Sequence, residues 1–315
     1  MDEGADITIR VRPPDWRATH DWRLYYDLTW TARAEIVERI VAEGETSLSR
    51  VLGRFKRFND THFTSVRMEN GMLGCDVLFS AIEGGRVDPF EQLRDVSCVI
   101  RGEAVAMPSY ITFDLCRMLV DFAHGMDVVV ELGAGYGANL FGMHLAGAPA
   151  GLRYLAMEPT AAGRALTRRL AEMAPDMSIE VLDCDLSMPD FSPLAGASCT
   201  LLFTAWSVMY VPSFPKSFFE ELAKVPGEVT CMFFEPLGFQ ISATDGMSLV
   251  QAEAFFSSEE VHRSPHNRDF HSVAMAAAAE GLVDLELVSK HLFLGQGKDP
   301  FQLMSLWVFR KPAIK

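Results

Sequence analysis

The sequence predicts an α/β protein whose core is a seven-stranded sheet, five strands parallel and the last two an antiparallel hairpin, behind a mostly helical N-terminal part. Three observations carry that expectation. From about Trp16 to Ala123 the apolar residues recur at helical spacing. After Gly125 they contract into short continuous runs separated by helical stretches, and the last two runs are joined by too few residues for a crossover helix. Continuous apolar strands that alternate with helices belong to a parallel sheet covered on both faces.

Taken in order, "SLSRVLGRFKRF" puts Leu48, Val51, Leu52, Phe55 and Phe58 on one helix face. The stretch "PSYITFDLCRMLVDF" predicts a helix that opens with Pro108 and leads into the sheet. The chain therefore divides into residues 1–104, a helical lid, substrate-binding or dimerisation domain, and residues 105–315, the sheet domain. Strands are expected at Val128 to Leu132, Leu152 to Met157, Ile179 to Leu182, Thr200 to Phe203 and Val229 to Phe234. After the second of them, "AAGRALTRRLAEM" is a helix with Thr160 as its N-cap and Leu166, Leu170 and Met173 on its apolar face. Ala276 to Ala279 also reads as helix. The segments "VDLELVSKHLF" and "LMSLWVFRK", linked by "LGQGKDPFQ", form the terminal hairpin.

The 315 residues are 49% apolar and 22% charged, enough to bury a sizeable core. Lys and Arg number 28 against 42 Asp and Glu, so the net charge of -14 repels polyanions and argues against a nucleic-acid partner. The basic and aromatic residues of "RFKRF" lie on the amphipathic helix already described. Six cysteines without a CxxC pair suit reduced thiols and a cytoplasmic setting. The N-terminus lacks an apolar leader region, and no window approaches the roughly 18 apolar residues of a membrane span.

The chemistry is expected around "DVVVELGAGYGANL", residues 127–140. Gly133, Gly135 and Gly137 allow a sharp turn from strand to helix and a close approach of backbone to ligand, with free helix amides facing it. "GAGYGA" also satisfies the GxGxxA dinucleotide pattern. Glu131 separates the two readings. A carboxylate at the strand end would repel a pyrophosphate and attract a ligand with ammonium and sulfonium groups.

In these residues the chain resembles the class I S-adenosylmethionine-dependent methyltransferases, whose first motif is acid, any, Gly, any, Gly, any, Gly, matched by Glu131, Gly133, Gly135 and Gly137 with Ala134 inside the turn. The resemblance covers roughly residues 105–312. It implies a Rossmann-like fold and S-adenosylmethionine as cosubstrate, leaving as S-adenosylhomocysteine. Glu158, with Pro159 beside it, stands where the family has an acid for the ribose hydroxyls. Asp183 stands where an acid accepts from the adenine amino group, with the amide of Cys184 reaching the ring. Thr204, at the wall where donor meets acceptor, is expected as a further cosubstrate contact, and Tyr110 either touches the cosubstrate or packs at its helix start. Taken alone, Glu158 could equally cap the helix that follows, and Asp183 and Asp185 could be turn residues.

The acceptor is implied to meet the methyl group past the fourth strand, at Trp206, Ser207 and Tyr210, where Trp206 either packs under the loop or faces substrate, and Val208 and Met209 read as core. The absence of [DNS]-P-P-[YF] argues against nucleic-acid and release-factor substrates. Glu235, at the end of the fifth strand, is expected to bind or activate a cationic acceptor, or else to pair with an arginine such as Arg268. His266 is the expected base. His266 and His271 lack the i, i+4 register of a helical metal pair, so no metal is expected. Direct in-line transfer to the nitrogen or oxygen of a small metabolite or peptide follows, with a homodimer as a candidate assembly. The competing readings are a nicotinamide- or flavin-dependent oxidoreductase and a noncatalytic binding subunit.

Overall fold

The computed structural model describes residues 10–11, 22–69, 72–77, 97–100, 103–106, 115–241, 267–293 and 304–314. Two helices dominate its N-terminal part, α1 (Trp22–Ala42) and α2 (Leu48–His62). Strands β1 (Arg10–Val11), β2 (Phe63–Glu69) and β3 (Met72–Val77) form a small antiparallel sheet in the order β1-β3-β2, and β4 (Ser97–Ile100) pairs with β5 (Glu103–Ala106). The helical expectation up to Ala123 thus holds for α1, α2 and α3 (Leu115–Phe122) and gives way to strands between them. The signal for that change is Asn70-Gly71 in the sequence, a dipeptide that favours a tight hairpin between the segments that become β2 and β3. Pro108 and Tyr110 lie outside the described residues.

The main sheet contains β6 (Val128–Leu132), β7 (Arg153–Met157), β8 (Ser178–Leu182), β9 (Cys199–Ala205), β10 (Glu228–Glu235), β11 (Asp284–Phe293) and β12 (Met304–Lys311). Their order is β11-β12-β10-β9-β6-β7-β8, with β6 to β10 parallel and β12 antiparallel to both β10 and β11. This is the expected Rossmann-like sheet with its terminal hairpin. The crossovers carry α4 (Ala138–Leu145), α5 (Ala161–Ala171), α6 (Ser217–Ala223) and α7 (Phe270–Ala279). Among the described residues no helix is long and apolar enough to cross a membrane.

Side-chain alternation sends each central strand into two cores. In β10, Met232 and Phe234 join one cluster, whereas Cys231 and Phe233 join the other. The second cluster is rich in rings that meet edge to face, such as Phe214 with Phe270 at 5.0 Å and Phe270 with Trp307 at 5.2 Å. The first cluster also holds Ile36, Val37 and Ile40 of α1 and Val51 and Phe55 of α2. These helices therefore share a core with the sheet. Strand order reverses at β6, between β7 and β9, and a doubly wound sheet opens a crevice for ligands at that switch point.

Candidate functional site

A cavity of about 350 Å³ opens at this reversal, lined on the sheet side by the turn after β6 and the loop after β9 and roofed by α1. The turn is sharply determined. Gly133, Gly135 and Gly137 have φ of 72°, 56° and 76°, a left-handed backbone that favours glycine. A Cβ on Gly133 would stand 2.4 Å from Ser207 Oγ, and one on Gly135 would stand 2.6 Å from the Trp30 ring. The amides of Gly133 and Ala134 donate to the Met157 carbonyl at 2.7 and 3.1 Å, and the Thr167 hydroxyl donates to the Gly135 carbonyl at 3.0 Å.

Glu131 ends up buried because β6 is central, flanked by Ala156 on β7 and Phe203 on β9. Its Oε1 accepts from Asn139 Nδ2 at 2.6 Å, while its buried Oε2 has no partner. Burial pushes its carboxyl up to about 8, reinforced by the neighbouring Glu158 and opposed by the Asn139 bond and by the Leu140 amide, which approaches the carboxyl without completing a hydrogen bond to Oε2. Glu158 is also buried and raised, chiefly by desolvation. Its Oε2 accepts from the Gly135 amide at 2.8 Å, and its Oε1 accepts from the Thr160 amide at 3.0 Å and the Thr160 hydroxyl at 2.5 Å. Thr160 in turn caps α5 by accepting from the Gly163 amide.

The structure brings Glu131, Gly133, Ala134, Gly135, Glu158, Pro159, Trp206, Ser207 and Tyr210 to the cavity wall. Five other residues of the expected site lie off the cavity wall, the first being Gly137, which caps the start of α4. Asp183 is exposed and pairs with Arg164 at 3.1 Å, drawn outward by that guanidinium. Cys184 is buried in the second core, and Thr204 is buried beneath the wall. Glu235 is fully buried, and its carboxylate is turned inward. Its Oε1 accepts from the amides of Ser207 and Val208 at 3.0 and 3.1 Å and its Oε2 from that of Met209 at 3.2 Å. Burial pushes its carboxyl up to about 7 against these amides. Glu235 thus holds the loop after β9 in place, and the exposed Arg268 lies at the surface. His271 begins α7, away from the cavity, and its Nδ1 accepts from Trp307 Nε1 at 3.1 Å. His266 lies outside the described residues.

Sequence reasoning missed the roof. Tyr26, Trp30 and Arg33, at i, i+4 and i+7 on α1, all face the cavity. Tyr26 meets Tyr210 edge-on at 4.9 Å, Trp30 meets Tyr136 at 5.5 Å, and the Arg33 guanidinium lies 4.8 Å over the Trp30 ring. Tyr136, Asn139 and Leu186 complete the wall. Among the described residues no group of His, Cys, Asp and Glu is arranged to hold a metal ion.

No family profile matches the chain, and no curated protein matches it in sequence. Among solved structures it is similar to a SAM dependent methyltransferase from Aquifex aeolicus, at 13% identity over 62% of this chain and 89% of that one, with a TM-score of 0.39. It is similar to geranyl diphosphate C-methyltransferase from Streptomyces coelicolor A3(2), at 17% identity over 62% and 76%, with a TM-score of 0.41. An O-methyltransferase family protein from Burkholderia thailandensis aligns at 14% identity over 64% and 57%, with a TM-score of 0.39. Likeness at this level leaves the functional reading to the site itself.

Proposed function

We propose that the chain is an S-adenosylmethionine-dependent methyltransferase acting on a nitrogen or oxygen of a small acceptor. The observation that carries this reading is the unpartnered Oε2 of Glu131, a buried carboxylate oxygen at the wall of a glycine-turn cavity. An orphaned buried acceptor is costly unless a ligand donor completes it, and an ammonium group does so with a charge-assisted bond. The residues fit the cosubstrate. Glu131 would take its ammonium, and the glycine turn would lie along its chain. Glu158 Oε2 already accepts one amide and has a second lone pair for a ribose hydroxyl.

When bound, the cosubstrate supplies a methyl group already activated by its sulfonium. The chain's own contribution is then position and dryness. Asn139 orients Glu131, and Thr160 with the Gly135 amide orients Glu158, so both carboxylates are fixed before a ligand arrives. The α1 roof, through Tyr26 and Trp30, covers the turn. Ser207, whose hydroxyl lies 3.4 Å from the Gly133 carbonyl, joins the donor end of the cavity to the loop proposed for the acceptor. His266 is proposed as the base for an acceptor that arrives protonated. The acid at the end of β6 disfavours the pyrophosphate of a nicotinamide or flavin dinucleotide.

Isothermal titration tests the reading. S-adenosylhomocysteine is expected to bind and NADH is not, and Glu131→Gln should weaken the former by about 1.5–3 kcal/mol, tenfold to a hundredfold. Absence of binding by both S-adenosylmethionine and S-adenosylhomocysteine at millimolar concentration would rule the reading out.

A further inference from the structure

We propose that the acceptor is a planar, uncharged aromatic molecule that stacks on Trp206, an inference that rests on the methyltransferase reading above. Three features of the described residues lead there. The first is the distribution of charge around the cavity. Its acidic and basic lining residues are Glu131, Glu158 and Arg33, and all three are tied to the glycine turn. Glu158 bonds the Gly135 amide, Glu131 bonds Asn139 just past the turn, and Arg33 lies on Trp30, whose ring presses on Gly135. Elsewhere on the wall, Tyr26, Leu186, Ala205, Trp206, Tyr210 and Ser207, the last in contact with Gly133, carry no charge at neutral pH.

The second feature is the backbone of Trp206. Its φ of 59° makes it the one non-glycine residue in left-handed conformation among the described residues, and the residue is 42% exposed. A bulky residue rarely adopts this conformation, and such strain persists only where the surroundings over-determine it. Here they do. The Trp206 amide donates to the Phe234 carbonyl at 3.0 Å, and the three amides that follow are gripped by the fully buried carboxylate of Glu235. The arrangement holds an indole out at the mouth of a cavity, where burial would otherwise favour folding it back.

The third feature is the wall that completes this end. Tyr26 and Tyr210, in contact edge to face, place a second aromatic surface beside the cavity. Aromatic walls bind both flat rings and cations, and the choice between them depends on nearby anions. Glu235, the acid expected to read a cation, is spent on the Ser207 to Met209 amides, and Asp185, beside Arg23 of α1, does not line the cavity. The described residues thus leave stacking and apolar contact as the recognition chemistry.

The test uses the full chain saturated with S-adenosylhomocysteine and two sets of probes, p-cresol and indole against tetramethylammonium and guanidinium, followed by calorimetry and ligand-observed NMR. The neutral rings are expected to bind and the cations to bind more weakly. Trp206→Ala should weaken ring binding about tenfold, the loss typical of one stacking partner, while Trp206→Phe stays within about threefold. S-adenosylhomocysteine affinity, measured on the same variants, reports whether the donor end remains folded. Tighter binding of the cations, ring binding indifferent to Trp206→Ala, or no ring binding to the saturated protein at 10 mM of probe would each overturn the proposal. If the unaltered chain failed to bind S-adenosylhomocysteine, the methyltransferase reading itself would fall, a distinct result.

Discussion

At the scale of single residues, the site is governed by carboxylates taken out of water. Glu131 and Glu235 have carboxyls pushed up to about 8 and about 7, burial being the largest cause for each. A raised carboxyl means that the folded chain holds a proton the unfolded chain would release, so between the ordinary value near 4.5 and the raised value stability falls as pH rises. The melting temperature of the ligand-free protein should therefore decline from pH 5 to pH 8, and Glu131→Gln should flatten that decline. A melting temperature that rises over this window would mean that the buried acids are ionised and satisfied. Ligand binding has the opposite dependence. An ammonium needs Glu131 ionised, so affinity for S-adenosylhomocysteine should improve from pH 6 to pH 8 and its binding should release protons to buffer. Titrations in buffers of different ionisation enthalpy read that release directly.

At the scale of elements, strands and turn were legible and their surroundings were not. The runs Val128 to Leu132 and Val229 to Phe234 predict β6 and β10 within one or two residues, because a strand buried on both faces leaves an unbroken apolar signature. Thr160 and the α5 face were readable for the same local reason. Sequence spacing could not say which way Asp183 and Glu235 turn, since the Arg164 guanidinium and the Ser207 to Met209 amides that capture them come from elsewhere in the fold. Nor does the spacing of Tyr26, Trp30 and Arg33 reveal that α1 lies over the glycine turn. That contact makes Gly135 a joint between elements, with a left-handed φ and the Trp30 ring where a side chain would go. Gly135→Ala should cost at least about 1–2 kcal/mol from backbone conformation alone and displace α1. Chemical denaturation would measure the first effect and tryptophan emission the second. Unchanged emission would mean that Trp30 does not press on the turn in solution, and an unchanged midpoint that the left-handed backbone at Gly135 is not retained.

At the scale of the whole molecule, the question is whether the N-terminal helices form a detachable cover or a fixed part of the sheet domain. Two kinds of contact hold them. The polar ties include Asp27 to the Ala162 amide at 2.8 Å, Arg169 to Glu38 at 2.8 Å, and the Arg23 to Asp185 pair. Arg169 and Glu38 are both substantially exposed, so that pair contributes little. The apolar contact is of another magnitude, because Ile36, Val37, Ile40, Val51 and Phe55 are nearly or wholly excluded from water in the cluster that also contains Val129, Leu201 and Phe234. Phe55→Ala removes a ring buried against Tyr136, which itself lines the cavity, and should cost about 3–5 kcal/mol. In a chain of this length that corresponds to a drop of roughly 6–15 °C in melting temperature. If α1 and α2 are one cooperative unit with the sheet, the variant shifts the main calorimetric transition as a whole, and S-adenosylhomocysteine shifts it back. A separate early transition, with the main one unmoved, would make the helices an independent cover. The site would then be assembled only when they close, and the roof formed by Tyr26 and Trp30 would be a property of one state of the molecule.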